Sequence, residues 1–254
     1  MMRKKQRSRQ FYVMVWMGAL LFAAVAVLAM LAALYFQGTL AWYTPYPGRY
    51  PIRGVDVSAW QGEIDWQLLS KQNVRFAFIK ATEGGDFVDR RFAENWQGAA
   101  QTQVRVGAYH FFRYETDPAL QAENFIRTVP RTEGMLPPVV DVEAYRGMHA
   151  PSSDTVRQML RTLLGKLEAH YQKRPILYCT RSYYHKYLSG HFDAYPIWAR
   201  SLFIAPSYTQ QDCSFWQYNS RGKLKGYHGA ESYIDLNVFW GDEEDWQSFC
   251  EASR

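Results

Sequence analysis

The feature that most constrains the fold is a series of eight short apolar runs between residues 53 and 239. Each run has five to nine residues and is rich in the β-branched and aromatic side chains that favour strands. Amphipathic segments separate the early runs, whereas the last connections are too short and polar for full helices. The runs are RGVDVS from Arg53, RFAFIKAT from Arg75, VRVGAYHFF from Val104, PPVVDVE from Pro137, PILYCT from Pro175, PIWARS from Pro196, SFWQY from Ser214 and SYIDLNVF from Ser232. Because eight strands close a barrel, we expect an α/β fold, a parallel βα barrel with an irregular closing section.

Three segments between these runs carry helix signals. Asp117 and Pro118 form an N-cap followed by a first-turn proline. In SDTVRQMLRTLLGKLEAHY, from Ser153, apolar residues repeat at i+3 and i+4 and therefore lie on one helix face. The segment RRFAENWQGAAQ, from Arg90, repeats this pattern. These segments supply helices of the βα units.

The N-terminal part of the chain predicts a membrane anchor. No charged residue occurs from Phe11 to Phe36, and a helix of this length can cross a hydrocarbon core of roughly 30 Å. The basic residues before it favour a cytoplasmic N-terminus. A cleaved signal peptide is the alternative, but its apolar region would have only about 7–15 residues. The sequence thus predicts a basic tail at residues 1–10, a transmembrane helix at 11–36, a linker at 37–51 and a catalytic domain at 52–254.

Charge and cysteine content exclude several classes of function. The formal net charge is +5, yet five of the 29 basic residues lie in the first ten positions, so the rest of the chain carries 24 basic and 24 acidic residues. A neutral domain is not typical of nucleic-acid binding, and no nucleic-acid partner is expected. Three cysteines, Cys179, Cys213 and Cys250, have no metal-ligand or redox spacing and are predicted to be small buried residues.

Polar or aromatic residues stand at the C-terminal end of every predicted strand. In a βα barrel these ends converge on one mouth, where the chemistry of this architecture takes place. Distant parts of the sequence are therefore expected to meet in one site. The residues are Asp56, Lys80, Glu83, Tyr109, His110, Asp141, Glu143, Tyr178, Trp198, Gln217 and Asp235.

Asp141 and Glu143 are the most informative of these residues. Because side chains alternate along a strand, both carboxyl groups point to the same face. Two acids on one apolar face repel each other unless one of them holds a proton. A neutral acid beside an anion suits glycoside hydrolysis, because the acid protonates the leaving oxygen and the anion stabilises an oxocarbenium-like centre. A solvated strand end stays an alternative, as does a magnesium or calcium site that includes Asp56 and Asp235.

Histidine and aromatic residues give weaker signals. His110 is expected to be a hydrogen-bonded core residue. Three tryptophans are expected in the core, namely Trp60, Trp66 and Trp96. Tyr178 and Trp198 fit either the core or a sugar-stacking surface.

Six segments carry a family resemblance. They are GVDVSAWQGEIDW from Gly54, FAFIKATEG from Phe76, GAYHFF from Gly107, PPVVDVE from Pro137, FWQYNSRGKLKGYHG from Phe215 and IDLNVF from Ile234. In order and spacing they resemble the motifs of the glycoside hydrolase family 25 lysozymes, the Chalaropsis-type muramidases. The resemblance covers the chain from about Ile52 to Trp246.

This resemblance implies a modified TIM-like barrel, (β/α)5(β)3, and cleavage of the β-1,4 bond between N-acetylmuramic acid and N-acetylglucosamine in peptidoglycan. It implies that Glu143 is the general acid/base and Asp141 the stabilising carboxylate, with Asp56 and Asp235 completing an acidic cluster. The cleft would be lined by Lys80, Glu83, Tyr109, Tyr178, Trp198 and Gln217. One difference is visible in WARSL, where Leu202 occupies a position that is commonly aromatic in the family.

We therefore expect a muramidase tethered to the bacterial cytoplasmic membrane, with its N-terminus inside and its catalytic domain outside. Peptidoglycan strands would be its partner, a monomer is expected, and no metal or cofactor is required. Two alternatives stay open, a non-catalytic peptidoglycan-binding module and a hydrolase of a chitin-like glycan.

The placement of the acids also favours a mechanism. Neighbours on one strand lie on the same side of the cleft, so Asp141 is poorly placed to attack the sugar face opposite Glu143. We expect substrate-assisted retention, in which the 2-acetamido oxygen attacks the anomeric carbon and ionised Asp141 orients the acetamido nitrogen. Repulsion from Asp141 is expected to raise the pKa of Glu143.

Overall fold

The computed structural model describes residues 2–37, 43–143, 147, 149–209 and 213–252, and the chain divides into two compact units. The first unit, residues 1–42, contains helix α1, Met2–Phe36. Among the described residues, its segment Phe11–Phe36 is the one helix long and apolar enough to cross a membrane, judged by length and composition. The second unit comprises residues 43–254, so residues 43–51 of the predicted linker belong to it.

The second unit is built on a closed barrel of eight strands, which confirms the predicted fold class. The strands are β1 Arg53–Val57, β2 Phe76–Glu83, β3 Arg105–Phe111, β4 Val139–Val142, β5 Ile176–Thr180, β6 Ile197–Arg200, β7 Cys213–Gly222 and β8 Ile234–Phe239. Strands β1 to β7 pair in parallel in chain order. Strand β8 closes the barrel by pairing with both β7 and β1. All eight predicted runs are therefore barrel strands.

Helical segments follow the first five strands. They are α2 Trp66–Ser70, α3 Phe92–Ala100, α4 Pro118–Thr128, α5 Ser153–Tyr171 and, after β5, the turn Arg181–Tyr183 with the π-helical Tyr184–Leu188. Helix α4 begins as predicted, because the Asp117 carboxylate accepts a hydrogen bond from the Ala119 amide and Pro118 opens the first turn. Five βα units followed by three strands make the (β/α)5(β)3 arrangement.

The direction of β8 corrects one detail of the sequence interpretation. Asp235 was expected at the C-terminal end of its strand, but it lies near the N-terminal end of β8. Because β8 runs antiparallel to β1, this end reaches the same mouth, and Asp235 stands directly opposite Asp56 in the strand register. The two carboxyl groups meet for this reason.

The barrel interior is filled by large aromatic side chains. Phe78 stacks on Trp198 with ring centroids 4.5 Å apart, and Phe76 packs against Phe215 at 5.1 Å. Gly54 makes room for this layer, since a Cβ atom there would lie 2.5 Å from the Phe76 ring. The interior below the mouth is thus a packed core rather than a channel.

Helix α6, Glu243–Ala252, covers the barrel end opposite the mouth. Its Trp246 is 6% exposed and contacts the rings of Phe76 and Phe239 at 5.7 and 5.2 Å. Cys250 belongs to the same core cluster. All three cysteines are buried, as predicted for small hydrophobic side chains.

Candidate active site

A cavity of about 450 Å³ opens at the mouth of the barrel. Its walls combine carboxyl groups with amide, aromatic and basic side chains. Of the residues that the structure describes, thirteen line it, namely Asp56, Gln61, Tyr109, Asp141, Glu143, Tyr178, Trp198, Arg200, Gln217, Ser220, Glu231, Tyr233 and Asp235. The structure thus brings together eight of the ten residues that the sequence assigned to the site.

Asp141 and Glu143 lie at the end of β4, and both face the cavity, as the strand alternation predicted. Asp141 is 7% exposed, and within the described part of the chain its Oδ1 atom has no hydrogen-bond partner. Burial, followed by the charge of Glu143, raises the pKa of Asp141 well above its ordinary value. Burial also raises the pKa of Glu143, and the nearby Arg200 charge opposes this rise. The repulsion thus raises the pKa of the more deeply buried Asp141, whereas the sequence interpretation placed this effect on Glu143.

Asp56 and Asp235 form a second pair of acids, joined by a hydrogen bond between their carboxyl groups. Such a bond needs one shared proton. Burial and the charge of Asp56 raise the pKa of Asp235 well above its ordinary value; burial also raises the pKa of Asp56, although its side-chain hydrogen bonds oppose this rise. The Asp56 Oδ2 atom also accepts hydrogen bonds from Gln217 Nε2 at 2.9 Å and Asn237 Nδ2 at 2.7 Å. Asp56 is therefore a fixed acceptor.

Tyr178 and Trp198 form part of the cavity wall, and they also anchor the amide network around Asp56. The Tyr178 hydroxyl donates to Gln217 Oε1 at 2.9 Å, and Trp198 Nε1 donates to Asn237 Oδ1 at 2.8 Å. Their exposed fractions are 6% and 2%, so core packing dominates over an open stacking surface. These contacts fix the orientation of both amide side chains.

Lys80 and Glu83 lie beside the cavity rather than in its lining. Lys80 Nζ is 2.9 Å from Glu83 Oε2, and Arg113 Nη1 is 2.8 Å from Glu83 Oε1. Burial opposes the effect of these two cations, yet the pKa of Glu83 is lowered, as the paired carboxylate form requires. Their assignment to the substrate cleft stays a prediction.

His110 is a buried structural residue, as predicted. Its Nδ1 atom lies 2.7 Å from Thr82 Oγ1 and its Nε2 atom 3.0 Å from Gln121 Oε1. Burial lowers the pKa of His110 to about 4, so the ring is neutral at physiological pH. It does not line the catalytic cavity.

The prediction that Trp60 lies in the core is wrong, whereas Trp66 and Trp96 are buried as predicted. The Trp60 side chain is 67% exposed and lines a second opening of about 370 Å³, which shares Asp56, Tyr109 and Asp235 with the catalytic cavity. Trp60 belongs to the 3-10 turn Ala59–Gln61, whose capping box with Ser58 fixes the backbone and turns the indole outward. Such a turn has no strand or helix periodicity from which burial could be predicted.

Sequence reasoning did not identify Arg200 and Asn237 as site residues. Arg200 ends β6 two positions after Trp198, so strand alternation places both side chains in the cavity. Its charge lowers the pKa of all four acids, opposing the effect of burial. Asn237 stands two positions after Asp235, and the same alternation could have identified it. Within the described ranges, no group of three or more His, Cys, Asp or Glu residues could hold a metal ion.

Comparisons with known proteins identify the family of the chain. The profile for glycosyl hydrolases family 25 matches residues 55–227. The chain is 37% identical over 214 residues to the uncharacterised protein YegX of Escherichia coli K12, covering 82% of this chain and 76% of that protein. It is 31% identical over 208 residues to lysozyme M1 of Streptomyces globisporus, covering 75% of this chain and 68% of that protein.

A solved structure of a family 25 glycosyl hydrolase from Bacillus anthracis matches the fold with a TM-score of 0.77 and 46% sequence identity. The match covers 82% of this chain and 97% of that chain. The barrel, the acids at its mouth and these similarities together show that the chain belongs to glycosyl hydrolase family 25 and is a glycoside hydrolase of the lysozyme class.

Proposed function

We propose that this enzyme is an N-acetylmuramidase that cleaves the β-1,4 bond between N-acetylmuramic acid and N-acetylglucosamine in peptidoglycan. The observation that supports this most strongly is the pair formed by buried Asp141 and half-buried Glu143 at the mouth of a family 25 barrel. Asp141 carries a buried oxygen without a hydrogen bond to any described group, and Glu143 lines the same cavity as Arg200, whose charge opposes the rise in the Glu143 pKa. The pair thus combines an acceptor for substrate with a proton donor.

Glu143 acts first as general acid and then as general base. Its carboxyl group protonates the leaving glycosidic oxygen, and the resulting carboxylate later takes a proton from the attacking water. Partial burial favours the neutral acid before the bond breaks, because burial raises its pKa. Arg200 stabilises the carboxylate that forms afterwards.

Asp141 assists the substrate rather than attacking the sugar. The acetamido oxygen of the muramic acid residue closes on its own anomeric carbon, and the acetamido nitrogen gains positive charge during this step. An acceptor is then needed for the acetamido N–H, and Asp141 Oδ1 is a buried acceptor that no described protein group occupies. The β configuration is retained because two displacements occur at one carbon.

Substrate binding also decides where the proton of this pair resides. Burial and the charge of Glu143 both favour the neutral form of Asp141. A hydrogen bond from the acetamido N–H stabilises the Asp141 carboxylate and leaves the proton to Glu143. The acid therefore becomes active when the correct sugar is bound.

The remaining residues position the substrate. Asp56 and Asp235 present a hydrogen-bonded pair of carboxyl groups to sugar hydroxyls, and the amide groups of Gln217 and Asn237 hold the Asp56 carboxyl group in place. Tyr109, Tyr178, Trp198 and Gln217 shape the wall, and Lys80 with Glu83 borders the substrate path.

The apolar segment Phe11–Phe36 anchors the enzyme in the bacterial cytoplasmic membrane. The basic residues before it keep the N-terminus inside, and the catalytic domain acts outside as a monomer. This arrangement places the barrel in the compartment that contains peptidoglycan.

Purified peptidoglycan and the full-length chain in a mild detergent provide the test. Glu143→Gln keeps the shape of the side chain but removes the proton, so turnover should fall by about 10²–10⁴-fold while glycan binding is retained. Fragments are identified by mass spectrometry. Asp86→Asn, which changes an exposed residue that does not line the cavity, serves as the control.

Full turnover by Glu143→Gln would contradict the assignment of Glu143 as the general acid. A requirement for added magnesium would favour a metal site. Binding without cleavage by the unmodified chain would indicate a binding module, and cleavage of chitin alone would indicate a chitin-like substrate.

A further inference from the structure

Another cavity, of about 540 Å³, lies at the ends of β5 and β6, beside the catalytic cavity and separate from the opening at Trp60. We call it the side groove. Its basic and large apolar lining residues are Arg181, His185, Arg200, Leu202 and Phe203. Arg200 lines both the side groove and the catalytic cavity, so the two spaces share a wall. A substituent on a sugar in the catalytic cavity could therefore extend past Arg200 into the side groove.

The side groove combines positive charge with apolar surface. Three of its described lining residues are Arg or His, and none of its described lining residues is acidic. Among the described residues, Arg181 and Arg200 form no ion pair, and Arg181 is exposed. Phe203 is 54% exposed and Leu202 is half-buried. This surface is suited to a ligand that carries both carboxylates and small apolar groups.

The catalytic cavity has the opposite character. Its lining includes Asp56, Asp141, Glu143, Glu231 and Asp235. A substituent with free carboxylates would be repelled from these walls and attracted to the cations of the side groove. A substrate with a neutral sugar chain and anionic branches would therefore bind with its sugars in the catalytic cavity and its branches in the side groove.

We propose that the side groove binds the peptide that N-acetylmuramic acid carries on its lactyl group. This inference rests on the proposed function, because it requires a peptidoglycan strand in the catalytic cavity. The apolar side chains Leu202 and Phe203 contact the alanine methyl group next to the lactyl carbonyl. Arg181 binds a free carboxylate of the following residues through two parallel N–H···O hydrogen bonds. The enzyme thus prefers glycan that still carries its peptides.

The test compares two substrates for the full-length chain in detergent. One is peptidoglycan glycan with intact peptides, and the other is the same glycan after an amidase has removed them. The unmodified enzyme should have the higher kcat/KM on the peptide-bearing glycan. Arg181→Glu should lower kcat/KM on that substrate by roughly three- to tenfold, as expected for an exposed charged contact, and leave peptide-free glycan unaffected.

Two further variants make the result specific. Lys186→Glu changes the charge by the same amount on an exposed residue of the neighbouring turn that does not line the side groove, and it should change neither rate. Phe203→Ala should reduce the preference for peptide-bearing glycan without a charge change. Equal rates on both substrates, or an equal loss on both in Arg181→Glu, would overturn the inference while leaving the muramidase assignment intact. Failure of the unmodified enzyme to cleave either substrate would overturn the proposed function and this inference with it.

Discussion

Asp141 differs from the other acids of the cavity in how its oxygen atoms are held. Asp56 accepts two amide hydrogen bonds and shares a proton with Asp235. Asp141 Oδ1, by contrast, is buried without a hydrogen bond to any described group. A buried carboxylate that lacks hydrogen bonds is costly, so ionisation of Asp141 opposes folding. Substrate contact would relieve this cost.

The stability of the protein should therefore depend on Asp141 and pH. Its folded-state pKa is raised, so the native state binds this proton more tightly than the unfolded state does. The resulting stability is fully present below about pH 4, the ordinary carboxyl pKa, and is lost as pH rises through the raised pKa. Asp141→Asn should raise Tm at pH 8 by about 2–4 °C, the shift that 1 kcal/mol gives in a domain of this size.

Thermal unfolding at pH 4 and pH 8 checks this prediction. The difference between Asp141→Asn and the unmodified protein should disappear at pH 4, where both side chains are neutral. Asp86→Asn removes an exposed carboxylate and should have the same Tm as the unmodified protein at both pH values. At each pH the Tm of Asp141→Asn is compared with the Tm of the unmodified protein. The account would be contradicted if this difference were smaller at pH 8 than at pH 4.

Trp60 is an exposed aromatic residue in an opening next to the active-site cavity, where it can stack on a sugar ring. Its backbone N–H donates to Ser58 Oγ and its carbonyl accepts from the Glu231 amide. These hydrogen bonds fix the backbone that carries the exposed indole. Trp60→Ala should raise KM for glycan strands about fivefold, with little change in kcat, because a stacking contact contributes about 1 kcal/mol. Steady-state kinetics measure this effect. Trp60→Phe should retain most of the affinity, and an unaltered KM in Trp60→Ala would exclude the stacking role.

At the scale of elements, α6 is important because it closes the barrel end opposite the site. Trp246→Ala would remove a ring that is buried among Phe76, Phe215 and Phe239. Truncating a buried Trp costs about 3–5 kcal/mol, so a Tm decrease of about 6–20 °C is expected. Differential scanning calorimetry tests this, with Trp60→Ala as a control that removes the same ring from an exposed position. Similar Tm values for the two variants would show that α6 does not stabilise the barrel.

The elements differ in how well the sequence predicts them. Apolar runs and caps such as Asp117 identify strands and helices because these signals act locally. The direction of β8 is not local, since an alternating pattern reads the same in parallel and antiparallel strands. Asp235 was therefore assigned to the correct mouth but to the wrong end of its strand. Arg200 was missed for a related reason, because an arginine at a strand end normally points to solvent, and only barrel closure places it among acids.

At the scale of the whole molecule, the proposed anchor determines where the enzyme acts. Because basic residues precede the apolar segment, protease added to spheroplasts should digest the catalytic domain while a cytoplasmic marker stays intact. Immunoblotting against the C-terminal part of the chain measures the loss. Complete protection of the domain would contradict this topology. A mature N-terminus near Ala26 would show that the segment is a cleaved signal peptide.

The pairing of β1 with β8 also determines when the active site exists. Asp56 stands on the first barrel strand and its partner Asn237 on the last, 181 residues later in the chain. Contacts over such a distance form late in folding, because a long loop must close first. A nascent chain whose β8 is not yet available for pairing lacks both Asn237, which donates a hydrogen bond to Asp56, and Asp235, which stands opposite Asp56. The pocket is therefore complete only after β8 has been made and has paired with β1.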